Sequence, residues 1–245
     1  MKPSEKIKYI SNWIKTYVDQ MPSKAQSLVV GISGGIDSSV SSTLSAMTGI
    51  KTIVLSMPIR QKDNQHDLSL KHLEWLIKNF KNVEAHTINL DKLFESFSST
   101  LKKFDNEHGY ANSRARLRMT TLYQVAAANK GIVVGTGNKV EDFGVGFYTK
   151  YGDGGVDISP IADCNKTDVW ELGKELGILK EIIDAPPTDG LWDDGRTDEG
   201  QLGFKYQDLE DAMKNPNSPH RQEYEKIRKQ NLHKMEPIPV CKIPS

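Results

Sequence analysis

Ile7, Ile10, Ile14, Tyr17 and Val18 recur three or four residues apart among lysines and other polar residues, and this spacing predicts an amphipathic helix over 4–19. The next apolar run, Ser27-Leu28-Val29-Val30-Gly31-Ile32, has no polar alternation and predicts a short strand buried on both faces. A helix is expected over 37–47, with Gly49 as its stop, followed by a strand at 52–55. Leu70, Leu73, Leu76 and Ile77 form the apolar stripe of a helix over 68–80, and 83–90 reads as a third strand. Helices over 91–104 and 113–129, a strand at 132–135 and a helix over 165–176 complete the series. Continuous apolar strands alternating with helices point to an α/β fold: a doubly wound, mostly parallel sheet flanked by helices. Ligands of such sheets sit at the carboxyl ends of the strands.

Two stretches break the alternation. Residues 143–160 carry Gly144, Gly146, Gly152, Gly154 and Gly155, and residues 185–206 carry Pro186-Pro187 with Gly190, Gly195, Gly200 and Gly203. Between Asp184 and Asp211 nine acids stand against Arg196 and Lys205, so the second stretch reads either as a solvated acidic loop or as an active-site lid. Trp192 lies in that loop and is a candidate lid contact, whereas Trp13, Trp75 and Trp170 are expected in the core or at an interface.

The chain has 245 residues, enough for one large domain with a real core and too few for two comfortable ones, so a single unit over 1–245 is expected. Lys+Arg and Asp+Glu are both 32, and zero net charge argues against general nucleic-acid or membrane-surface binding. No apolar run approaches the ~20 residues of a membrane span, and the polar start has no signal-peptide core, so a cytoplasmic protein is expected. Cys164 and Cys241 are the only cysteines, which excludes a disulfide scaffold and a thiolate zinc site.

The segment Gly31-Ile32-Ser33-Gly34-Gly35-Ile36-Asp37-Ser38-Ser39 follows a strand and opens a helix. Gly34 and Gly35 allow close backbone approach, and the free N–H groups and dipole of the helix favour an anion. Ser33, Ser38 and Ser39 add hydroxyl donors. Asp37 would repel a bare phosphate, and fits best by holding Mg²⁺ against a polyphosphate. No Gly-Lys-Ser/Thr closes the loop, so it is not a Walker A motif. A Gly/Ser turn with Asp and Ser capping a helix is the simpler structural reading.

Ser33-Gly34-Gly35-Ile36-Asp37-Ser38 resembles the SGGxDS signature of the ATP pyrophosphatase superfamily, whose members adenylylate a carboxylate or carbonyl oxygen, release pyrophosphate and let a nucleophile displace AMP. Further segments narrow the resemblance: Arg114-Ala115-Arg116-Leu117-Arg118-Met119, Gly135-Thr136-Gly137-Asn138-Lys139-Val140-Glu141, Lys150-Tyr151-Gly152-Asp153-Gly154-Gly155-Val156-Asp157-Ile158, Asn165-Lys166, Ala185-Pro186-Pro187-Thr188 and His233-Lys234. Together they are similar to the NAD synthetases along nearly the whole chain. That resemblance implies ATP-dependent amidation of deamido-NAD to NAD. The short length and the lack of a recognisable nucleophilic cysteine imply the ammonia-dependent type, without a glutaminase domain.

Carried over by motif, Gly31, Ile32, Ser33, Gly34, Gly35, Ile36, Asp37 and Ser38 would hold ATP phosphates, with Thr136, Lys166 and Thr188 as further ATP contacts. Asp37 and Glu141 would be the Mg²⁺ ligands. Arg116, Lys150, Asp157, His233 and Lys234 would hold deamido-NAD, and Asp37, Asp157 and Lys166 would carry the chemistry. The resemblance also implies a homodimer with the dinucleotide at the subunit interface. Read locally, the same residues have plainer meanings: Arg114, Arg116 and Arg118 as a solvated helical face, Thr136 and Asp157 as turn residues, Glu141 as surface charge, and Lys166 as a first-turn residue after an Asn165 cap. Two other functions stay open on the residues alone. A tRNA-modifying pyrophosphatase is disfavoured by zero net charge and the absence of CxxC. A nucleotide sensor without turnover would need neither Glu141 nor the 150–157 segment.

Overall fold

The computed structural model describes residues 1–60, 63–188, 190–192 and 197–244. Of the acidic stretch, Asp189, Asp193, Asp194, Gly195 and Arg196 lie outside the described residues. The elements run α1 (Pro3–Gln20), β1 (Ser27–Gly31), α2 (Ile36–Met47), β2 (Lys51–Ser56), α3 (Asp63–Asn79), β3 (Val83–Thr87), α4 (Asp91–Thr100), α5 (Glu107–Ala128), β4 (Gly131–Val133), α6 (Lys166–Glu175), α7 (Lys180–Ile183), α8 (Asp198–Leu202), α9 (Tyr206–Lys214) and α10 (Arg221–Met235). The four described strands are parallel in the order β3-β2-β1-β4, with Gly31 opposite Leu55 and Val29 opposite Val133. An isolated parallel bridge joins Val134 to Ile158 beyond β4.

Helices cover both faces, as a doubly wound sheet requires. One core packs Ile7, Ile10, Ile14 and Val18 of α1, Val40 and Leu44 of α2 and Leu73 and Leu76 of α3 against Leu28 and Val30. The opposite core packs Phe94 of α4 and Met119, Leu122 and Ala126 of α5 against Val29, Ile53, Leu55 and Val133. β1, β2 and β4 therefore bury residues on both sides, which is why their sequence is mostly apolar, whereas β3 at the end of the strand order carries Glu84, His86 and Thr87 exposed. Each fully buried Val, Leu or Ile contributes roughly 1.5–3 kcal/mol.

Several expectations are corrected. The helix anticipated at 68–80 begins at Asp63, and that at 113–129 begins at Glu107, where the Asn106 side chain accepts the Gly109 N–H as an N-cap. The expected helix over 91–104 ends at Thr100 and continues as a 3₁₀ turn at Lys102–Phe104. The strand over 83–90 stops at Thr87. Trp75 and Trp170 pack against the core, as expected, whereas Trp13 is 39% exposed, which removes the core alternative for it and leaves the interface one. No helix is assigned beyond 176 from the sequence, yet α9 and α10 form there, with Tyr206, Leu209, Ala212 and Met213 at helical spacing along α9, and bury Tyr206, Leu209, Ala212 and Tyr224 in a third core.

That third core explains the first glycine-rich stretch. Residues Lys139–Val145 form a π-helix, capped by Asn138 and ended by left-handed Gly146. A Cβ on Gly144 would meet Met213 Sδ at 2.9 Å, and one on Gly146 would meet Asn231 Cβ at 2.7 Å. These glycines let α9 and α10 lie directly on the π-helix.

Candidate active site

The loop from β1 to α2 is built as the sequence implies. Gly34 adopts φ +90°, a conformation open to glycine at little cost. The Gly35 N–H donates to Ser33 Oγ at 3.2 Å, and the Ser38 and Ser39 hydroxyls both donate to the Gly35 carbonyl, at 3.1 and 2.9 Å. These bonds fix the turn and place Asp37 in the first turn of α2.

Glycine also sets the distance to Lys166. A Cβ on Gly173 would meet Ile36 Cδ1 at 2.5 Å, so only glycine lets α6 pack this closely on the start of α2. Lys166 is the first residue of α6, whose Asn165 N-cap and Asp168 form a capping box. Its side chain, 1% exposed, runs to Asp37 Oδ2 at 2.5 Å and to Glu141 Oε1 at 3.0 Å. Asn138, fully buried, joins the two acids: its carbonyl oxygen accepts the Val140 and Glu141 N–H groups, and its amide donates to Asp37 Oδ1 at 3.0 Å. The Tyr206 hydroxyl donates to Glu141 Oε1 at 2.6 Å, and the ring lies 4.8 Å from the Lys166 ammonium.

The electrostatics follow from two acids sharing one buried cation. Burial lowers the affinity of Lys166 for its proton, but Asp37 and Glu141 overcome this and hold it above the usual lysine range. Burial raises the Asp37 carboxyl, with Lys166 pulling down and Glu141 pushing up. Burial also acts upward on Glu141, but Lys166, Tyr206 and Asn138 bring it below the ordinary glutamate value. Burial, then the nearby acids Glu141 and Asp198, push the Tyr206 phenol far up, so it remains a donor. Asp142 is raised well above the usual range by burial and then by Glu141, Asp153 and Asp37. This is a site with excess negative charge, and two carboxylates from separate elements, α2 and the π-helix, suit a hard divalent cation.

The residues expected to meet the pyridine nucleotide form a second group. Arg116 Nε donates to the Lys150 carbonyl at 3.2 Å, Lys150 Nζ to the His233 carbonyl at 3.1 Å, and Lys234 Nζ to the Tyr148 carbonyl at 2.9 Å. Asp157 stands apart from this chain of contacts. It accepts the Tyr123 hydroxyl at 3.1 Å and the Val133 N–H at 2.7 Å, which ties the 150–157 segment to β4. Burial followed by the Asp157 charge raises the Tyr123 phenol to about 12. Beside them opens a hollow of about 470 Å³ lined by Met119, Thr120, Tyr123, Gln124, Tyr151 and Gly155.

The remaining candidates sit around the first group. Thr136 is half-buried after β4, and Thr188 accepts the Gly190 N–H at 3.3 Å as a turn cap. The three arginines of α5 do not share one solvated face. Arg114 is buried, lies 4.8 Å from the Phe94 ring and donates to the Leu191 carbonyl, while Arg118 donates to the Met57 carbonyl. Trp192 lies beside His108, with ring centroids 6.0 Å apart. Asn138, Tyr206 and Tyr123 are site residues to which the motifs assign no role. Asn138 stands within a quoted motif, whereas Tyr206 opens the apolar stripe of α9, a signal that reads as core and not as a site.

A family model described as NAD synthase matches residues 6–243. The NH(3)-dependent NAD(+) synthetase of Carboxydothermus hydrogenoformans is 38% identical over 212 residues, covering 84% of this chain and 83% of that protein. Among solved structures, the NMN synthetase of Francisella tularensis superposes with a TM-score of 0.91 at 32% identity, covering 99% of this chain and 100% of that one. The NH3-dependent NAD synthetase of Campylobacter jejuni shares the fold, with a TM-score of 0.79 at 22% identity and coverage of 99% and 100%. With a capped glycine loop, paired carboxylates on one buried lysine and a family match from end to end, the chain belongs to the NAD synthase family.

Proposed function

We propose that the chain amidates deamido-NAD with ammonia, using ATP and releasing NAD, AMP and pyrophosphate. The observation that carries this is the buried Lys166 ammonium between Glu141 and Asp37, the acid of the SGGIDS loop. A carboxylate is a poor electrophile, and AMP is a good leaving group. The nicotinate carboxylate oxygen attacks the α-phosphorus and pyrophosphate departs. The lone pair of NH₃ then attacks the acyl carbon, a proton is lost and AMP leaves.

The chain's part is positioning and charge stabilisation. The loop 31–38 would face the phosphates through the N–H groups that open α2, while the Ser33 and Ser38 hydroxyls hold the loop in shape, with Thr136 and Thr188 at the ATP side. Lys166 places positive charge where negative charge develops. Asp37 and Glu141 would hold Mg²⁺, which supplies charge neutralisation on the departing pyrophosphate when bound. Arg116, Lys150 and Lys234 present cations to the acceptor's phosphates and carboxylate, with His233 as a polar contact beside them, and Asp157 orients the segment beside the pyridine ring. The whole chain acts as one synthetase unit, in the cytoplasm and as a homodimer. The exposure of Arg116 and Tyr151 beside the 470 Å³ hollow supports a second copy completing the acceptor site.

A second acceptor is favoured by one observation. The NMN synthetase superposes at TM-score 0.91 and 32% identity, against 0.79 and 22% for the Campylobacter NAD synthetase. The chemistry is unchanged if the carboxylate belongs to nicotinic acid mononucleotide. The test is kcat/KM for each acceptor at saturating ATP, Mg²⁺ and ammonium. A ratio above about 10 for deamido-NAD, or roughly 1.4 kcal/mol, supports the dinucleotide. The inverse ratio reassigns the acceptor and keeps the reaction.

A further inference from the structure

We infer that Tyr206 is a positioning residue for the metal site, holding Glu141 so that one carboxylate oxygen is committed to the protein and the other faces the cation. This rests on the assignment of Asp37 and Glu141 as metal ligands. The geometry is specific. Tyr206 Oη and Lys166 Nζ both reach Glu141 Oε1, at 2.6 and 3.0 Å, so two donors take the same oxygen. Glu141 sits in a π-helix, a wide turn that is frequent at functional sites. Asn138 holds its backbone N–H, so the carboxylate needs a separate restraint.

Tyr206 is itself held rigidly. It is 1% exposed, its ring meets Trp170 edge-on at 6.0 Å, and its own N–H donates to Glu199 Oε1 at 3.1 Å. Its hydroxyl has one hydrogen and two carboxylates in reach, with Asp198 Oδ2 at 3.4 Å as the second. Asp198 and Glu199 open α8, within the acidic stretch, and the Asp198 N–H donates to the Pro187 carbonyl next to Thr188. Tyr206 therefore connects the metal carboxylate to the segment that carries the ATP contact Thr188. A purely packing role would need the ring alone, and the phenol would be an expensive group to bury.

The test uses the whole protein with Mn²⁺ and a non-cleavable α,β-methylene ATP, reading bound Mn²⁺ by water-proton relaxation. Tyr206→Phe keeps the ring and removes only the donor. Loss of a hydrogen bond to a charged group should weaken Mn²⁺ binding about tenfold. Incorporating 3-fluorotyrosine at 206 keeps a donor and should restore it, which guards against misfolding as the cause. Glu141→Gln should weaken Mn²⁺ at least as much, and the double variant should be no weaker than Glu141→Gln alone, because Tyr206 acts only through Glu141. Unchanged Mn²⁺ affinity in Tyr206→Phe, or additive losses in the double variant, overturns the inference. Unchanged affinity in Glu141→Gln instead overturns the metal assignment beneath it.

Discussion

The two halves of the site are held in opposite ways. On the ATP side, side chains hold side chains: Asp37, Glu141, Lys166, Asn138 and Tyr206 form one closed network, with Lys166, Asn138 and Tyr206 at most 1% exposed. On the acceptor side, cations hold backbone: Arg116, Lys150 and Lys234 each donate to a carbonyl oxygen at 2.9–3.2 Å. The ATP side has its shape before any ligand arrives. The acceptor side has its charges gathered on backbone oxygens. A fixed site for a common cosubstrate beside a less enclosed one for the specific acceptor fits a family whose members are named for different pyridine nucleotides.

The largest expected effect breaks the closed network. Asp37→Ala should lower kcat by about 10³ or more while the far-ultraviolet spectrum stays native, since a metal ligand and a preorganised charge are lost together. Retained turnover would remove Asp37 from the chemistry. Lys166→Met should add a stability loss of roughly 3 kcal/mol, because two buried carboxylates lose their cation. Divalent metal added to that variant should recover part of the melting temperature, whereas a metal-insensitive loss would mean packing alone.

On the acceptor side the expectation is milder and of another kind. Arg116→Ala and Lys150→Ala should raise KM for the pyridine nucleotide roughly tenfold to a hundredfold, one or two charge-assisted contacts each. ATP affinity should hold, and melting temperature should move little, as exposed substitutions usually change stability by about 0.5 kcal/mol or less. Equal effects on ATP and acceptor would erase the division between the halves. The shared nucleophile gives a third effect. With chemistry rate-limiting and total ammonium fixed, activity should rise from neutral to mildly alkaline pH as NH₃ replaces NH₄⁺. A flat profile contradicts free ammonia as the nucleophile.

The effect most remote from the chemistry concerns the frame behind α2. His72 is fully buried, with Nε2 3.0 Å from Ser42 Oγ, and burial holds its pKa near 4 against an ordinary 6.5. The folded value is depressed, so the neutral ring contributes stability that is present above pH 6.5 and is lost as pH falls toward 4. Denaturant melts should show roughly 2–3 kcal/mol lost across that window. His72→Gln should flatten that part of the curve, and an unchanged pH slope would point to another group.

Much of this is legible in the residues. The continuous apolar strands give a parallel sheet, and glycines at 34 and 35 before Asp37 give an anion loop. Lys166 after Asn165 reads locally as a first-turn residue, and it is one, but the chemistry depends on Gly173 seven residues on, which draws α6 onto α2. That contact links distant segments and leaves no periodic trace. Tyr206 is hidden for the same reason: its partner Glu141 is 65 residues away. The α5 arginines mislead in the other direction. At spacing two they look like one solvated face, yet the helix turn sends Arg114 and Arg118 toward Phe94 and β2 and Arg116 toward Lys150.

The central claim is an amidation driven by cleavage of ATP to AMP and pyrophosphate. Its most direct test is an end-point assay of purified protein with ATP, Mg²⁺, ammonium and deamido-NAD, and in parallel with nicotinic acid mononucleotide, quantifying amide product, AMP and pyrophosphate. The account predicts equal amounts of all three with at least one acceptor, and none without ammonium beyond a single adenylylated turnover. Folded protein that binds ATP and forms no AMP with either acceptor would contradict it.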